Sequence, residues 1–528
     1  MIYPYLEYEY FFRDGIVMSY IQSFKQQSWL LPPCIEDLIP EDHICYLVES
    51  FIESLDFSSF DVIYAGPGHP AYHPRILLKL LVMGVLDRVR SSRMVARNVR
   101  ENVVYMYLAE KTAPDFRTIS DFRKNNPDLV KEVFRHTVTL ARIEGMIDLS
   151  HLSTDGSKQK ANAANKRILI KEELELLLRF VDEELEEWSK RDYIEDEIFK
   201  DLRGSDQLPD KSRTKIKKVV KDYIEKMKEE GNTFKDKTLR KLKNAYGELN
   251  EHELKKVNVT DPESRFMKNK KGRIESSYNV QITVDRKGYI LANDVCNDET
   301  DVKQLQPQVS QTEENLEGLP ENVPWSFDNG YYGGCNIKFL DDKKINGFIP
   351  NNEKKTVSPY NKQNFTYDPV KDEYICPVNQ PLTFLGERYD KSKKKALRLY
   401  KGQKCKICTH QKMCTKRKDG IRYIKSYPYE KERNVMNKKM NTEKGKEIYK
   451  LRAITVEPVF GDIKNNKGMR GFLTRGNKTV KAEFNLVCTA SNLRKIWIES
   501  KKKNNSTKNI LIKNPIAINA IYLYLHLV

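Results

Sequence analysis

The chain has 528 residues, 92 Lys or Arg against 74 Asp or Glu, and a formal charge of +18 at pH 7. That length allows about two to four domains with a substantial core, and the positive balance suits a polyanion, since displaced counterions favour binding to nucleic acid; a merely basic soluble protein is the plain alternative. Nine cysteines without a secretory leader argue for reduced thiols in a cytoplasmic compartment, and the chain offers no apolar run of about 18 residues to span a membrane.

Met1–Val17 is aromatic and acidic, does not read as a targeting peptide, and is expected to pack little against the rest. Asp42 is placed to cap a helix from His43 through Leu55, with Leu47, Phe51 and Leu55 at four-residue spacing. A turn-rich stretch from Gly68 leads to Pro74, which opens a helix over Arg75–Leu86. Helices around Met94–Arg100 and after Pro114-Asp115 follow. Arg75, Arg90, Arg93, Arg97, Arg100, Arg117, Arg123 and Lys124 are either phosphate contacts or a solvated basic face. His43, His69 and His73 read as turn or capping residues.

Two isolated aspartates end short strand-like runs. Asp155 closes Leu152-Ser153-Thr154 and is followed by Gly156; Asp328 closes Trp325-Ser326-Phe327 and is followed by Asn329-Gly330. Each has the form of a strand entering a turn. Between them, Arg167–Val257 is a mixed-charge helical insertion whose Leu174, Leu177, Leu178, Val181, Leu185 and Trp188 form a core stripe. Strands at Tyr278–Asp285 and Tyr289–Val295 and a helix through Asp301–Leu316 lead back to the strand that delivers Asp328.

Residues 351–430 interrupt the chain a second time, with short strand patterns and Cys376, Cys405, Cys408 and Cys414. These are either a tetrahedral zinc site organising a poorly cored module or four reduced thiols in a small β insertion. Beyond them, Val456, Val459, Phe460 and Ile463 make one apolar helix face, while Glu457, Gly461 and Lys464 share another. Arg470, Arg475 and Lys478 sit in or beside a glycine-bearing loop before a helix over Val480–Trp497, as candidate DNA-backbone contacts. Lys501–Lys508 reads as a polar linker.

Carboxylates from two strand ends and a helix are what a pair of hard divalent ions requires. Asp155-Gly156-Ser157-Lys158 with Ala161-Asn162-Ala163 resembles the first catalytic motif of bacterial insertion-sequence DDE transposases, and Asp328-Asn329-Gly330-Tyr331-Tyr332 the second. Tyr449, Arg452, Glu457 and Lys464 resemble the third, a Tyr-Arg-Glu-Lys signature. The signature usually has two, three and six residues between its members; this chain has two, four and six. The extra residue separates Arg452 and Glu457 by about 140° on a regular helix, so a π-bulge or kink is expected between Arg452 and Pro458.

The resemblance runs from about Met18 to Trp497. It implies an α/β ribonuclease H-like catalytic core (141–350 and 431–500), interrupted by the helical insertion (167–257) and the Cys-containing β insertion (351–430). An all-helical DNA-binding domain (18–140) precedes the core and a tail (501–528) follows it. It implies that Asp155, Asp328 and Glu457 hold two Mg²⁺ ions, with Mn²⁺ able to substitute. Lys464 and Arg452 would orient phosphate, and Tyr449 would support the strand path. Arg93, Arg97, Arg117, Arg123, Arg470 and Arg475 are the expected DNA contacts. The expected partners are double-stranded terminal inverted repeats and target DNA, bound by a homodimer in the cytoplasm at the nucleoid. The rival readings are a nuclease of this fold that cleaves without joining and a degenerate element protein kept for DNA binding.

Overall fold

The computed structural model describes residues 10–13, 16–19, 34–58, 60, 71–164, 167–184, 208–269, 272–351, 358–390 and 395–503. Most of Met1–Val17, the family-like text at Tyr20–Pro32, His69, Leu185, Trp188 and the tail from 504 onward lie outside them.

The central sheet contains β1 (Leu152–Lys160), β2 (Ile274–Val284), β3 (Ile290–Cys296), β4 (Pro324–Phe327) and β5 (Asn346–Phe348). Their spatial order is β3–β2–β1–β4–β5. The first two pairings are antiparallel, and β1–β4 and β4–β5 are parallel. A short strand, Arg265–Lys268, takes the remaining outer edge of β2. β2 explains why the sheet is a two-faced object. Tyr278, Val280, Ile282 and Val284 alternate with Asn279, Gln281 and Thr283, and all seven are buried. Period-two alternation puts the two sets on opposite faces. Thr283 of the polar set is tied to its neighbours: Thr154 and Thr283 share a hydrogen bond at 2.8 Å, Trp325 Nε1 donates to Thr154 at 2.8 Å, and Thr283 donates to Gln308 at 3.0 Å. These bonds stitch β1, β2 and β4 to α2 (Leu305–Leu316). The mixed α/β arrangement is compatible with a ribonuclease H-like core.

Helices Ile44–Glu53, Pro74–Leu86, Ser92–Glu101, Val103–Leu108 and Phe116–Asn125, with α1 (Pro127–Ile143), precede the sheet. Their buried side chains and those of the sheet form one continuous hydrophobic cluster. α4 (Asn477–Lys503) joins the two: Asn492 exchanges 2.9 Å hydrogen bonds with both backbone groups of Ile290 on β3, and its Nδ2 also donates to Thr137 on α1. Two local expectations are corrected. His43, not Asp42, caps the first helix, because its Nδ1 accepts from Cys45 N at 3.2 Å; the Asp42 carboxylate is turned to Lys501. Lys501–Lys503 therefore continues α4 instead of beginning a linker. His73 caps its helix as expected, accepting from Arg75 N.

The two interruptions carry cores of their own. Strands Ile168–Ile170 and Lys256–Asn258 pair as a stalk, and helices Lys171–Arg179, Asp210–Glu230 and Asn232–Glu251 bury Leu174, Leu177, Ile216, Val220 and Leu242 beyond it. The second interruption is an antiparallel meander of β6 (Thr366–Asp368), β7 (Glu373–Ile375), β8 (Pro381–Asp390), β9 (Lys395–Gly402) and β10 (Tyr423–Ser426). The chain then returns to the sheet through helix Glu430–Asn441 and α3 (Glu443–Gly461).

Candidate active site

Parallel pairing of β1 with β4 sets Thr154 opposite Phe327. Asp155 and Asp328 are the next residues on neighbouring strands, which lie about 4.8 Å apart. Two carboxylates so placed repel, and a cation relieves them. Arg452, reaching over from α3, is that cation: its Nη2 lies 2.8 Å from Asp155 Oδ1 and 3.8 Å from Asp328 Oδ1, while its Nη1 lies 3.9 Å from Glu457 Oε1. One guanidinium thus meets all three acids of the motifs. The arginine side chain is 11 % exposed, Asp155 15 %, Asp328 35 % and Glu457 61 %. The gradient runs from a sheet interior out to solvent. Burial pushes the Asp155 carboxyl up to about 6; Arg452 opposes this, and Asp328 adds to it.

Tyr449 stands one helical turn before Arg452 and is half-buried. Burial raises its phenol, and it senses Arg452, Asp328, Asp155 and Glu457. Lys464 reaches Ser157 Oγ at 2.7 Å. Ser157 lies two residues beyond Asp155 on β1, hence on the same face. The expected bulge is found elsewhere. α3 runs helical from Glu443 to Gly461 with Pro458 inside it, and the π-turn occupies Asp462–Asn466, where Lys467 N bonds Asp462 O at 2.9 Å. Arg452 needs no bulge to reach the acids, because its long side chain spans the angular offset from Glu457. The widened turn instead carries Lys464.

A fourth carboxylate escaped the sequence reading. Asp301 Oδ1 accepts from Asn279 Nδ2 at 2.6 Å and Gln281 Nε2 at 2.8 Å, with Lys158 Nζ at 3.5 Å. A Cβ on Gly156 would lie 2.6 Å from Asp301 Oδ1, and one on Gly330 2.8 Å from Asp301 Oδ2. Asp301 is thus wedged between the two motif glycines, and Gln281 Nε2 would lie closer still to a Cβ on Gly156. Tyr331, fully buried, donates to Gln281 and completes the floor. In the sequence Asp301 stands only as the first residue of a helical stretch. The alternation Asn279-Val280-Gln281 was the available signal.

The donor set suits divalent cations in chemistry: hard carboxylate oxygens at graded exposure beside solvent. Asp155, Asp328 and Glu457 are not within 4.8 Å of one another; among the described residues only Glu248, Glu251 and His252 form a group that close. That group lies on the helical insertion, and its Glu248 pairs with Arg265. The three acids are instead spread around one guanidinium.

The expected DNA contacts divide. Arg93, Arg97 and Arg117 are exposed, Arg93 and Arg117 over the Phe116 ring and Arg97 beside Glu101. Arg470 is exposed; Arg475 is exposed too and donates to Asn162 O at 2.9 Å. Arg123 is corrected: it is 7 % exposed and its Nη1 donates to the Arg90 carbonyl, so it packs inside. Arg90 is likewise internal, paired with Glu483 at 3.0 Å and bonded to the carbonyls of Gly468 and Gly471.

Strand-end acids gathered with a helical arginine and glutamate are the residue types that phosphoryl transfer uses. The comparisons carry this further. Residues 375–497 match the model of the transposase DDE domain, and residues 33–125 that of the DUF772 transposase domain. Together they support an insertion-sequence DDE transposase. The first match contains Arg452, Glu457 and Lys464, and neither contains Asp155 or Asp328. No curated protein matches the chain. Among the described residues no helix is long and apolar enough to cross a membrane.

Proposed function

We propose that the protein binds the terminal inverted repeats of its own insertion sequence, cleaves at the element ends and joins the freed 3′ ends to target DNA. The observation that carries this is Arg452 meeting Asp155, Asp328 and Glu457 at once. Asp155, Asp328 and Glu457 would hold two Mg²⁺ ions, which when bound supply an activated attacking oxygen and a stabilised leaving oxygen. Arg452 holds the acids in register beforehand and is then free to turn to a non-bridging phosphate oxygen, for which its planar fork is suited. Lys464, tethered to Ser157, holds its ammonium beside the same strand. Tyr449 lines the approach of the DNA strand. Exposed Arg93, Arg97, Arg117, Arg470 and Arg475 would bind backbone phosphates, with the protein acting as a homodimer, one protomer at each end.

Purified protein incubated with Mg²⁺ and a linear DNA carrying the element's own ends plus a supercoiled target tests this. Strand-joined product is expected. Cleavage without joining would favour a nuclease, and end binding without cleavage a DNA-binding remnant.

A further inference from the structure

The meander of β6–β10 has too little apolar core for its size. Phe365, Tyr374, Leu382, Tyr400 and Ile424 are its buried cluster, and Cys376 and Cys414 pack against them. Tyr360, Leu397 and Leu399 are buried as well, but among the described residues the shared cluster is small for a unit of this length, and small modules of that kind usually need a disulfide or a metal. Disulfides are absent: Cys376, Cys405, Cys408 and Cys414 are all free and half-buried.

The four thiols come from three separate turns. Cys376 follows β7 in a tight turn, where its N bonds Gln380 O at 2.9 Å and Gln380 N donates back to its Sγ at 3.2 Å. Cys405 and Cys408 bracket the 3₁₀ turn after β9, with Cys408 N on Cys405 O at 3.3 Å. Cys414 ends the short helix Gln411–Cys414. Distant in sequence, all four line one pocket, with Phe365 and Leu382 also on its wall. On the same wall, His410 Nδ1 is buried with no hydrogen-bond partner. Burial raises the Cys414 thiol; Arg422 opposes this and the other three cysteines add to it.

We propose that Cys376, Cys405, Cys408 and Cys414 hold one structural zinc ion, and that this ion holds the meander folded. Cys405-x-x-Cys408 has the spacing of a zinc-binding pair, and soft thiolates select zinc over the hard cations suited to carboxylates. Four protein ligands leave no open position, which makes the site structural. The N–H donated to Cys376 Sγ is the kind of outer contact that orients a thiolate ligand. No three of the sulfurs lie within 4.8 Å of one another among the described residues, so metal binding draws the three turns inward and releases the thiol protons.

The full chain is purified in reductant without chelator and its metals are measured. About one zinc per chain is expected. Cys376→Ser and Cys405→Ser each lower it at least several-fold, whereas Cys405→His retains most of it, since imidazole is also a zinc ligand. Limited proteolysis of the Cys→Ser proteins should open bonds between 358 and 426 while 431–503 stays resistant. Co²⁺ in place of zinc should give thiolate charge-transfer absorption that Cys376→Ser loses. Background zinc in the wild type, zinc undiminished in Cys376→Ser/Cys405→Ser, or iron as the bound metal would each overturn the proposal. Asp155→Asn keeps its zinc in full, so the outcome does not depend on the DNA chemistry.

Discussion

The two groups of ligand-type side chains, the carboxylates of the sheet and the thiols of the meander, are built on opposite terms. Asp155, Asp328 and Glu457 stand on elements anchored in the largest hydrophobic cluster, and Arg452 neutralises them from within. The thiols stand on turns around a small buried cluster, with Arg422 beside Cys414. A large core holds repelling groups in place before any metal arrives; a small one depends on its ligand for shape. Metal loss should therefore stop chemistry in one region and undo structure in the other.

The largest effect tests the sheet. Asp155→Ala, Asp328→Ala and Glu457→Ala are each expected to lower end cleavage by at least about 10³-fold, the scale of losing one essential charge contact in a catalytic site. The losses should not add, because the groups act as a unit. End binding, measured by gel shift, should stay within about threefold of wild type, because the arginines that contact backbone phosphates lie elsewhere. A variant that cleaves at the wild-type rate removes its residue from the site.

The next effect tests the contrast directly. A zinc chelator should make the meander protease-sensitive and lower its unfolding midpoint, while Mg²⁺ withdrawal should leave the proteolysis pattern unchanged and only abolish cleavage. Sensitivity of both regions to both treatments, followed by mass spectrometry of the fragments, would erase the distinction.

A third prediction concerns how the core handles buried acids that face no metal. Asp261 accepts from Tyr278 Oη at 2.8 Å and Gly476 N at 3.1 Å, while its Oδ2 is buried without a partner. Burial pushes it up to about 6. A folded-state pKa above the unfolded one means a proton is taken up on folding. The stabilisation is complete below about pH 4 and is lost as pH rises through about 6, some 2–3 kcal/mol in all. Asp261→Asn keeps the accepting oxygen and puts an amide where the orphan oxygen was. It should therefore unfold in urea with a smaller stability difference between pH 5 and pH 8 than wild type.

The particular residues show where sequence stops speaking. Asp155 and Asp328 were legible because strand, acid and glycine follow one another within a few positions. The meeting of Arg452 with both was also anticipated, but the bulge was misplaced. Angular arithmetic treats side chains as fixed rays, and a long guanidinium bends across about 140°. Arg123 has the same local text as its exposed neighbours; only the tertiary fold, with Arg90 and Glu483 beside it, turns it inward. Asp301 was missed for the converse reason, since its partners Asn279, Gln281 and Gly330 belong to other strands and turns. Cys376 stood alone in the sequence, and only the meander carries it to the cavity of the other three.

The smallest effect probes the floor beneath the carboxylates. Gly330 gives no sign of a conformation reserved for glycine; its Cβ is excluded by Asp301, whose Oδ2 would lie 2.8 Å away and whose own Cβ 3.4 Å. Asp301 cannot swing aside freely, because Asn279, Gln281 and Lys158 hold it. Gly330→Ala should therefore cost about 1–2 kcal/mol, as small overpacking does. In an Asp301→Ala background the nearest remaining contact is at ordinary van der Waals distance, and the same substitution should cost almost nothing. The double-mutant cycle isolates that difference as a coupling of about 1 kcal/mol or more, read from urea midpoints at constant slope. If Gly330→Ala costs the same with and without the Asp301 carboxylate, the glycine is small for another reason, and the wedge between the two motifs is not what keeps their acids in register.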